Sequence, residues 1–401
     1  MIEEDFPAMK KLVSLLLTLC MALSLCMVSA TAEGIPADQI KIGYITIGDE
    51  NEGYSANHLN GLKKAQEALG ISDEQVLCKY NIPETEAAYE AAVDLAEQGC
   101  NIIFATSFGH ESYVFQAAEE YPEIQFCHAT GTAAMASPLN NVHNYFYAVY
   151  ESRYVSGVVA GMKLQQMIDE GTITADAAKI GYVGAHPFAE VISGFTSFFL
   201  GARSMCPSAT MEVRYTGSWA DMALEKETAA ALIADGCVLI SQHADTTGAP
   251  SACQEAGVPC VGYNISMIPA APDSALTSAA GDWGAYVTYA VQCVINGEEI
   301  ARDWCKGYAE GAVHTTELNE SLVAPGTAEK VAEVEAAFKA GTVKVFDTAT
   351  FTVGGETLTT CTTCYGLDGI EMVSDGEFHE SSVRSAPYFD LIIDGITAIT
   401  D

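Results

Sequence analysis

The sequence predicts an α/β protein of two doubly wound lobes built to one plan, and three observations lead there. First, Glu97–Thr130 holds a complete unit: an apolar run from Asn101 to Thr106, a polar loop Ser107-Phe108-Gly109-His110, a helix-length segment, and a second apolar run from Ile124 to Ala129. Strand, loop, helix, strand is the pattern of a parallel β-α-β crossover. Second, Ala234–Asn264 repeats that plan, with Gly236-Cys237 where Gly99-Cys100 stood and Gln242-His243-Ala244-Asp245 where the first loop stood. Third, the tripeptide Ile-Gly-Tyr opens both halves. Ile42 and Ile180 stand 138 residues apart (180 − 42), and the two Gly-Cys pairs 137 apart (236 − 99). Two landmarks agreeing within one residue imply a duplicated lobe.

Taken in order, Ile40–Ile47 is a β-branched run suited to a buried strand, followed by the polar loop Gly48–Ser55 and a helix over His58–Leu69 with apolar residues at helical spacing. A strand near Gln75–Tyr80 and an Ala/Glu-rich helix over Glu84–Gln98 lead into the first unit. Asn141–Tyr147 reads as a strand and Glu151–Ile168 as a long helix with small residues on one face. The second lobe runs strand Ile180–Val183, loop Gly184–Glu190, helix Val191–Met205, strand Met211–Tyr215, loop Thr216–Asp221, a helix through Leu232, and then the second unit. Ala275–Ser278 reads as a strand, Trp283–Asn296 and Thr327–Ala340 as helices. Beyond Phe346 come short strands and turns, closing with Tyr388–Ile393.

A chain of 401 residues, 49% hydrophobic and 18% charged, can bury two good cores. Its formal charge of −35 repels phosphate backbones and anionic headgroups, which excludes nucleic acid as a partner and membrane binding through a basic patch. Met9-Lys10-Lys11, an apolar run, and Ser29-Ala30-Thr31-Ala32 describe an export signal cleaved after Ala32, with an uncleaved anchor as the alternative; Cys26 offers a lipidation site, although Leu25 before it is larger than such signals prefer. The protein is therefore expected outside the cytoplasm, in the periplasm or on the outer face of the cell membrane. Eleven cysteines follow the cleavage point, most of them inside apolar runs, as suits buried thiols. Cys361-x-x-Cys364 stands apart and reads as a turn or a local disulfide.

In a doubly wound sheet, ligands bind outside the carboxyl ends of the strands. The loops there carry Asn51, Tyr54, Ser107, Phe108, His186, Glu190, Trp219, Asp221, Gln242, His243, Asp245 and Asn264, with almost no cations. Aromatic faces stack on flat rings, while Asp and Asn pair with a heterocycle's edge or a diol. Few bases argue against an anionic ligand. No nucleophile elbow, P-loop, zincin motif or dinucleotide fingerprint is present, and the histidines lack metal-ligand spacing, so neither catalysis, a cofactor nor a metal is expected.

The segments ATSFGH and FCHATG within Ile102–Gly131, Tyr150-Glu-Ser-Arg-Tyr154, Leu200-Gly-Ala-Arg203, Gly217-Ser-Trp219, Gln242-His243-x-Asp245, Gly262-Tyr-Asn264 and Leu276-Thr-Ser278 together resemble the basic membrane protein (PnrA-like) family, the purine- and nucleoside-binding components of ABC importers. The likeness runs from about Ile40 to the C-terminus. It implies a type I periplasmic-binding fold: residues 39–148 with about 268–305 in the first lobe, 149–267 with about 306–345 in the second, and 346–401 as an extension packing on the lobes. It also implies that Tyr54 and Trp219 stack on a purine from opposite sides, that Asn51, Asp245 and Asn264 supply hydrogen bonds, and that Glu151 is the helix-start carboxylate. The first loop lacks the Asn-Asp-x-x-Phe-Asn run of the nucleoside-binding branch, and Gly281-Asp282-Trp283 replaces that branch's lysine. These departures favour a free base, with Trp283 filling the place of a sugar. The expected protein is a monomeric solute-binding component that delivers a purine base or nucleoside to a membrane permease. The alternatives are a sugar or branched-chain amino acid binder and, in a different class, a nucleoside-processing hydrolase.

Overall fold

The computed structural model describes residues 34–399; the expected export signal and Cys26 lie outside them. Thirteen strands form two sheets. The first contains β1 (Ile42–Ile45), β2 (Val76–Lys79), β3 (Ile102–Ala105), β4 (Gln125–Ala129), β5 (Val142–Tyr145) and the short β11 (Asp303–Trp304), all parallel, in the order β11-β5-β4-β3-β1-β2. The second contains β6 (Lys179–Gly184), β7 (Thr210–Tyr215), β8 (Leu239–His243), β9 (Cys260–Tyr263), β10 (Ala275–Gly281), β12 (Val313–Thr315) and β15 (Ile396–Ile399), in the order β12-β10-β9-β8-β6-β7-β15. Here β12 alone is antiparallel to its neighbour. A hairpin of β13 (Val373–Ser374) and β14 (Glu377–Phe378) lies apart in the C-terminal extension.

The continuous apolar runs follow from burial on both sheet faces. In the first lobe Ile42, Tyr44, Ile102 and Phe104 share a core with helices α1 (Gly53–Leu69) and α8 (Trp283–Asn296). The alternate residues Ile45, Ile103 and Ala105 pack with α2 (Ala87–Glu97) and α3 (Glu111–Glu120) on the opposite face. Each such side chain contributes about 1.5–3 kcal/mol relative to leaving it in water. The second sheet is covered in the same way by α4 (Val149–Asp169) and α5 (Ala189–Met205) on one side and α6 (Met222–Ala234) and α7 (Gly248–Ala256) on the other. The last helix, α9 (Thr327–Lys339), lies against α4. The small-residue face expected on the long helix lets two backbones touch. A Cβ on Gly161 would stand 2.2 Å from the Ala202 carbonyl, and one on Gly201 2.1 Å from that of Tyr154.

Three expectations change. Helix α1 starts at Gly53, five residues before His58, because the Glu52 carboxylate caps the amides of Tyr54 and Ser55 at 2.6 and 2.8 Å. Strand β10 pairs with β9 and β12, so 268–281 does not belong to the first lobe's sheet; the return crossing falls at Asp282, ahead of α8, which packs on α1. Finally, Tyr388–Ile393 forms no strand, whereas Ile396–Ile399 extends the second sheet beside β7.

The chain passes between lobes at 146–148, at 282 and at 305–312. Backbone bonds stitch these passages together: Phe146 N to Trp304 O at 3.0 Å, Ala148 N to Lys306 O and Asp282 N to Ala312 O, both at 2.8 Å. Such element-terminal crossings can absorb the rotation of one lobe against the other.

Candidate functional site

The carboxyl ends of β1, β3, β6, β7, β8 and β9 converge between the lobes, as the strand directions require. They enclose a narrow cavity of about 20 Å3 lined by Ile47, Tyr54, Ser107, Phe108 and Thr130 from the first lobe and Glu190, Trp219, His243, Asp245 and Tyr263 from the second. The lobes touch around it. Gly53 N donates to Asp245 O at 2.8 Å, and the Phe108 ring lies 5.6 Å from that of Phe188 across the mouth.

Tyr54 sits in the first turn of α1. Its hydroxyl donates to the Thr106 carbonyl at 2.7 Å, and Trp283 and His58 pack edge-on at 6.0 and 4.6 Å, which fixes the ring in its wall. Opposite, Trp219 follows β7 and is braced edge-on by His186 at 4.9 Å, while its carbonyl accepts from Asp245 N at 2.9 Å. Two immobilised aromatic walls suit a flat ligand at low entropic cost.

The polar groups are unusual in their protonation. Burial, together with the negative charges of Glu52, Glu225 and Glu190, holds Asp245 well above the ordinary carboxylate range. Asn264 Nδ2 donates to its Oδ1 at 2.8 Å. Burial raises Glu190 to about 7, and Arg153 partly offsets the rise. His243 Nε2 lies 3.3 Å from Glu190 Oε1, and burial depresses His243 well below its usual value, so this imidazole is neutral.

The structure brings Tyr54, Ser107, Phe108, Glu190, Trp219 and Asp245 to one cavity, although the Ser107 hydroxyl is already spent on Glu84 at 2.7 Å. Four predicted residues lie elsewhere. Asn51 is exposed and its Nδ2 donates to Asp49 at 2.9 Å. Asn264 stands behind Asp245. Glu151 accepts from the Tyr308 amide at 2.7 Å and braces the 305–312 passage. Trp283 is fully buried in the first lobe, stacked on His58 at 4.0 Å and against Tyr147 at 4.1 Å, so it fills no sugar pocket.

Ile47, Thr130, Tyr263 and Arg153 were not among the residues expected from the sequence. Thr130 adopts φ +63°, an outlier for a β-branched residue, and its buried Oγ1 has no partner. Arg153 is a cation at the site that the strand-end loops, with almost no cations, did not disclose. Its guanidinium lies 3.6 Å over the Tyr263 ring and donates from Nη1 to Gln242 O at 2.7 Å, while Nε and Nη2 are unpartnered. It arrives from the α4 crossover and not from a strand-end loop, which is why the loops did not disclose it.

Cys361 and Cys364 are both free thiols, with their sulfurs 3.2 Å apart in a turn. Among the described residues no helix is long and apolar enough to cross a membrane.

The family model for PnrA-like ABC transporter substrate-binding proteins, Bmp, matches residues 45–345. A purine-binding protein of Brucella abortus is 32% identical over 311 residues, covering 77% of this chain and 83% of its own. A putative ABC transporter glucose-binding protein of Haloferax volcanii is 36% identical over 188 residues, 47% of this chain and 44% of that one. An ABC solute-binding protein structure from Aeropyrum pernix aligns with a TM-score of 0.64 at 18% identity, over 76% of this chain and 92% of that one, a likeness of fold. The sheets share the arrangement of the type I periplasmic-binding fold, and the chain belongs to the Bmp family of ABC transporter substrate-binding proteins.

Proposed function

We propose that this protein captures a purine base or nucleoside outside the cytoplasm and hands it to the permease of an ABC importer. The observation that carries the reading is one cavity with Tyr54 on one lobe, Trp219 on the other, and the buried carboxyl of Asp245, its pKa raised, beside them. A purine edge alternates acceptors and donors, and a protonated carboxyl matches such an edge without the cost of burying a charge. Stacking on two rings contributes about 0.5–1.5 kcal/mol each beyond area burial. The purine-binding relative in Brucella supports the same ligand class. Family membership argues for binding and delivery over hydrolysis.

The Haloferax relative supports a sugar as the second reading, since carboxylates and aromatic faces also suit a pyranose. A thermal-shift panel of purine bases, nucleosides, hexoses and amino acids separates them, because a ligand of the native state alone raises the melting temperature by mass action. Purines raising Tm with no response to hexoses is the expected result; a hexose response without a purine response transfers the assignment to sugar.

A further inference from the structure

The C-terminal extension is built differently from the lobes it packs on. It lies beyond residue 345, where the family match ends, and between 346 and 395 its regular structure is the two-residue strands of the β13–β14 hairpin. A stretch so poor in helix and sheet bonds is held by its side chains. Ser385 donates from its amide and hydroxyl to Asp303 on β11, and Ser193 on α5 donates to Glu380 at 2.8 Å. Loop-rich units of exported proteins commonly add covalent cross-links to such contacts.

Cys361 and Cys364 share one turn of this extension, 7% and 4% exposed, with their sulfurs in contact at 3.2 Å. Hydrogen bonds fix the backbone around both: Cys361 N donates to Glu371 Oε1 at 2.8 Å, Met372 N to Cys361 O at 2.9 Å, and Leu367 N to Cys364 O at 2.8 Å. The fold itself therefore brings the thiols together, and about 1 Å of approach separates them from a sulfur–sulfur bond of roughly 2.05 Å. Among the described residues no group of three His, Cys, Asp or Glu could hold a metal ion, which leaves the pair without the further ligands a zinc site needs. Burial, contact with Cys361 and the charges of Asp390 and Glu380 push the Cys364 thiol above its ordinary value. A buried thiol so raised exchanges slowly, which places the exchange in the folding chain, before the turn is covered.

We propose that Cys361 and Cys364 form a modification site, joined in the exported chain as a local disulfide. The oxidant is itself a disulfide, of a small thiol or of an oxidoreductase. The thiolate of one cysteine attacks it, forming a mixed disulfide and releasing one thiol; the thiolate of the other cysteine then displaces the second half. The oxidant gains two electrons and two protons, and the cysteine pair loses them. The setting rests on the extracytoplasmic role proposed above, while the pairing rests on the turn alone. So short a loop gains little chain entropy, and its effect is local. It fixes the turn that presents Tyr365, whose carbonyl accepts from Arg384 Nη2 at 2.6 Å.

The tryptic peptide Val345–Arg384 contains these two cysteines and no other, so mass spectrometry reads the pair directly. The full chain is exported into the periplasm of a bacterial host, unfolded with an alkylating agent present and no reductant, and digested. The peptide should be unalkylated and lighter by two hydrogen atoms than its reduced form, and dithiothreitol before alkylation should return both positions to labelling. In Cys361→Ser, Cys364 should take the label. Alkylation of both cysteines in the exported wild-type protein overturns the site, as does finding either one joined to a different peptide. No ligand enters the measurement: free thiols at both positions end the disulfide and leave the purine reading standing, whereas a ligand panel without response leaves the disulfide standing.

Discussion

Gly53 on the first lobe and Asp245 on the second meet backbone to backbone, amide nitrogen to carbonyl oxygen, at 2.8 Å. A Cβ at Gly53 would lie 2.8 Å from that oxygen, so this approach tolerates no side chain. The two residues thus report lobe closure directly, beside the wall that carries Tyr54.

Gly53→Ala is expected to prop the lobes apart. Alanine suits the first turn of α1 better than glycine, so the ligand-free melting temperature should hold, while affinity for the purine found by the thermal-shift panel falls about tenfold. X-ray scattering with and without that ligand checks the cause: the variant should fail to contract.

Trp219→Ala should weaken purine binding by at least tenfold, since roughly 1 kcal/mol of stacking is lost along with the area buried by the ring. Trp219→Phe should recover most of it. Unchanged affinity of the alanine variant in calorimetry would remove Trp219 from the site.

Asp245 is expected to act as a neutral acid, so Asp245→Asn should keep purine affinity within about threefold at pH 7 and raise stability there, because folding no longer has to protonate a carboxyl that is ionised in the unfolded chain. Asp245→Ala should lose tenfold or more. If the asparagine variant binds as poorly as the alanine one, the carboxyl functions as an anion and the assignment fails.

Glu225 is raised to about 7 by burial, from an ordinary 4.5. Between those values the unfolded chain releases a proton that the folded chain keeps, so this group's stabilisation is complete below pH 4.5 and drains away as pH rises through 7. Glu225→Gln keeps an acceptor for the Thr246 hydroxyl, which donates to Glu225 at 2.7 Å. The melting temperature of the variant relative to wild type should therefore climb between pH 5 and pH 7.5. A flat difference would show that Glu225 titrates normally.

Gly161→Val should cost about 2–4 kcal/mol, within the range for overpacked cores and special positions, because its side chain would meet the Ala202 carbonyl between α4 and α5. Urea denaturation measures it directly.

Much of this protein was written locally. Ile42–Ile45 and Ile180–Val183 declare buried strands through β-branched runs, Gly99 and Gly236 end the helices before their strands at φ +84° and +87°, and the duplicated spacing announces two lobes. Strand-end loops then place Tyr54, Phe108, Glu190, Trp219 and Asp245 on one cleft, because parallel sheets send every carboxyl end the same way. Tertiary structure decided the rest. Trp283 and Tyr54 are neighbours at 6.0 Å, yet one is core and the other is wall, and what separates them is the packing of α8 on α1. Arg153 reaches the site from a crossover helix, and the raised pKa values of Glu190 and Asp245 exist because burial withholds water from several carboxyls at once. Proximity between segments hundreds of residues apart and exclusion of solvent are properties of the folded whole, and no local pattern of residues encodes them.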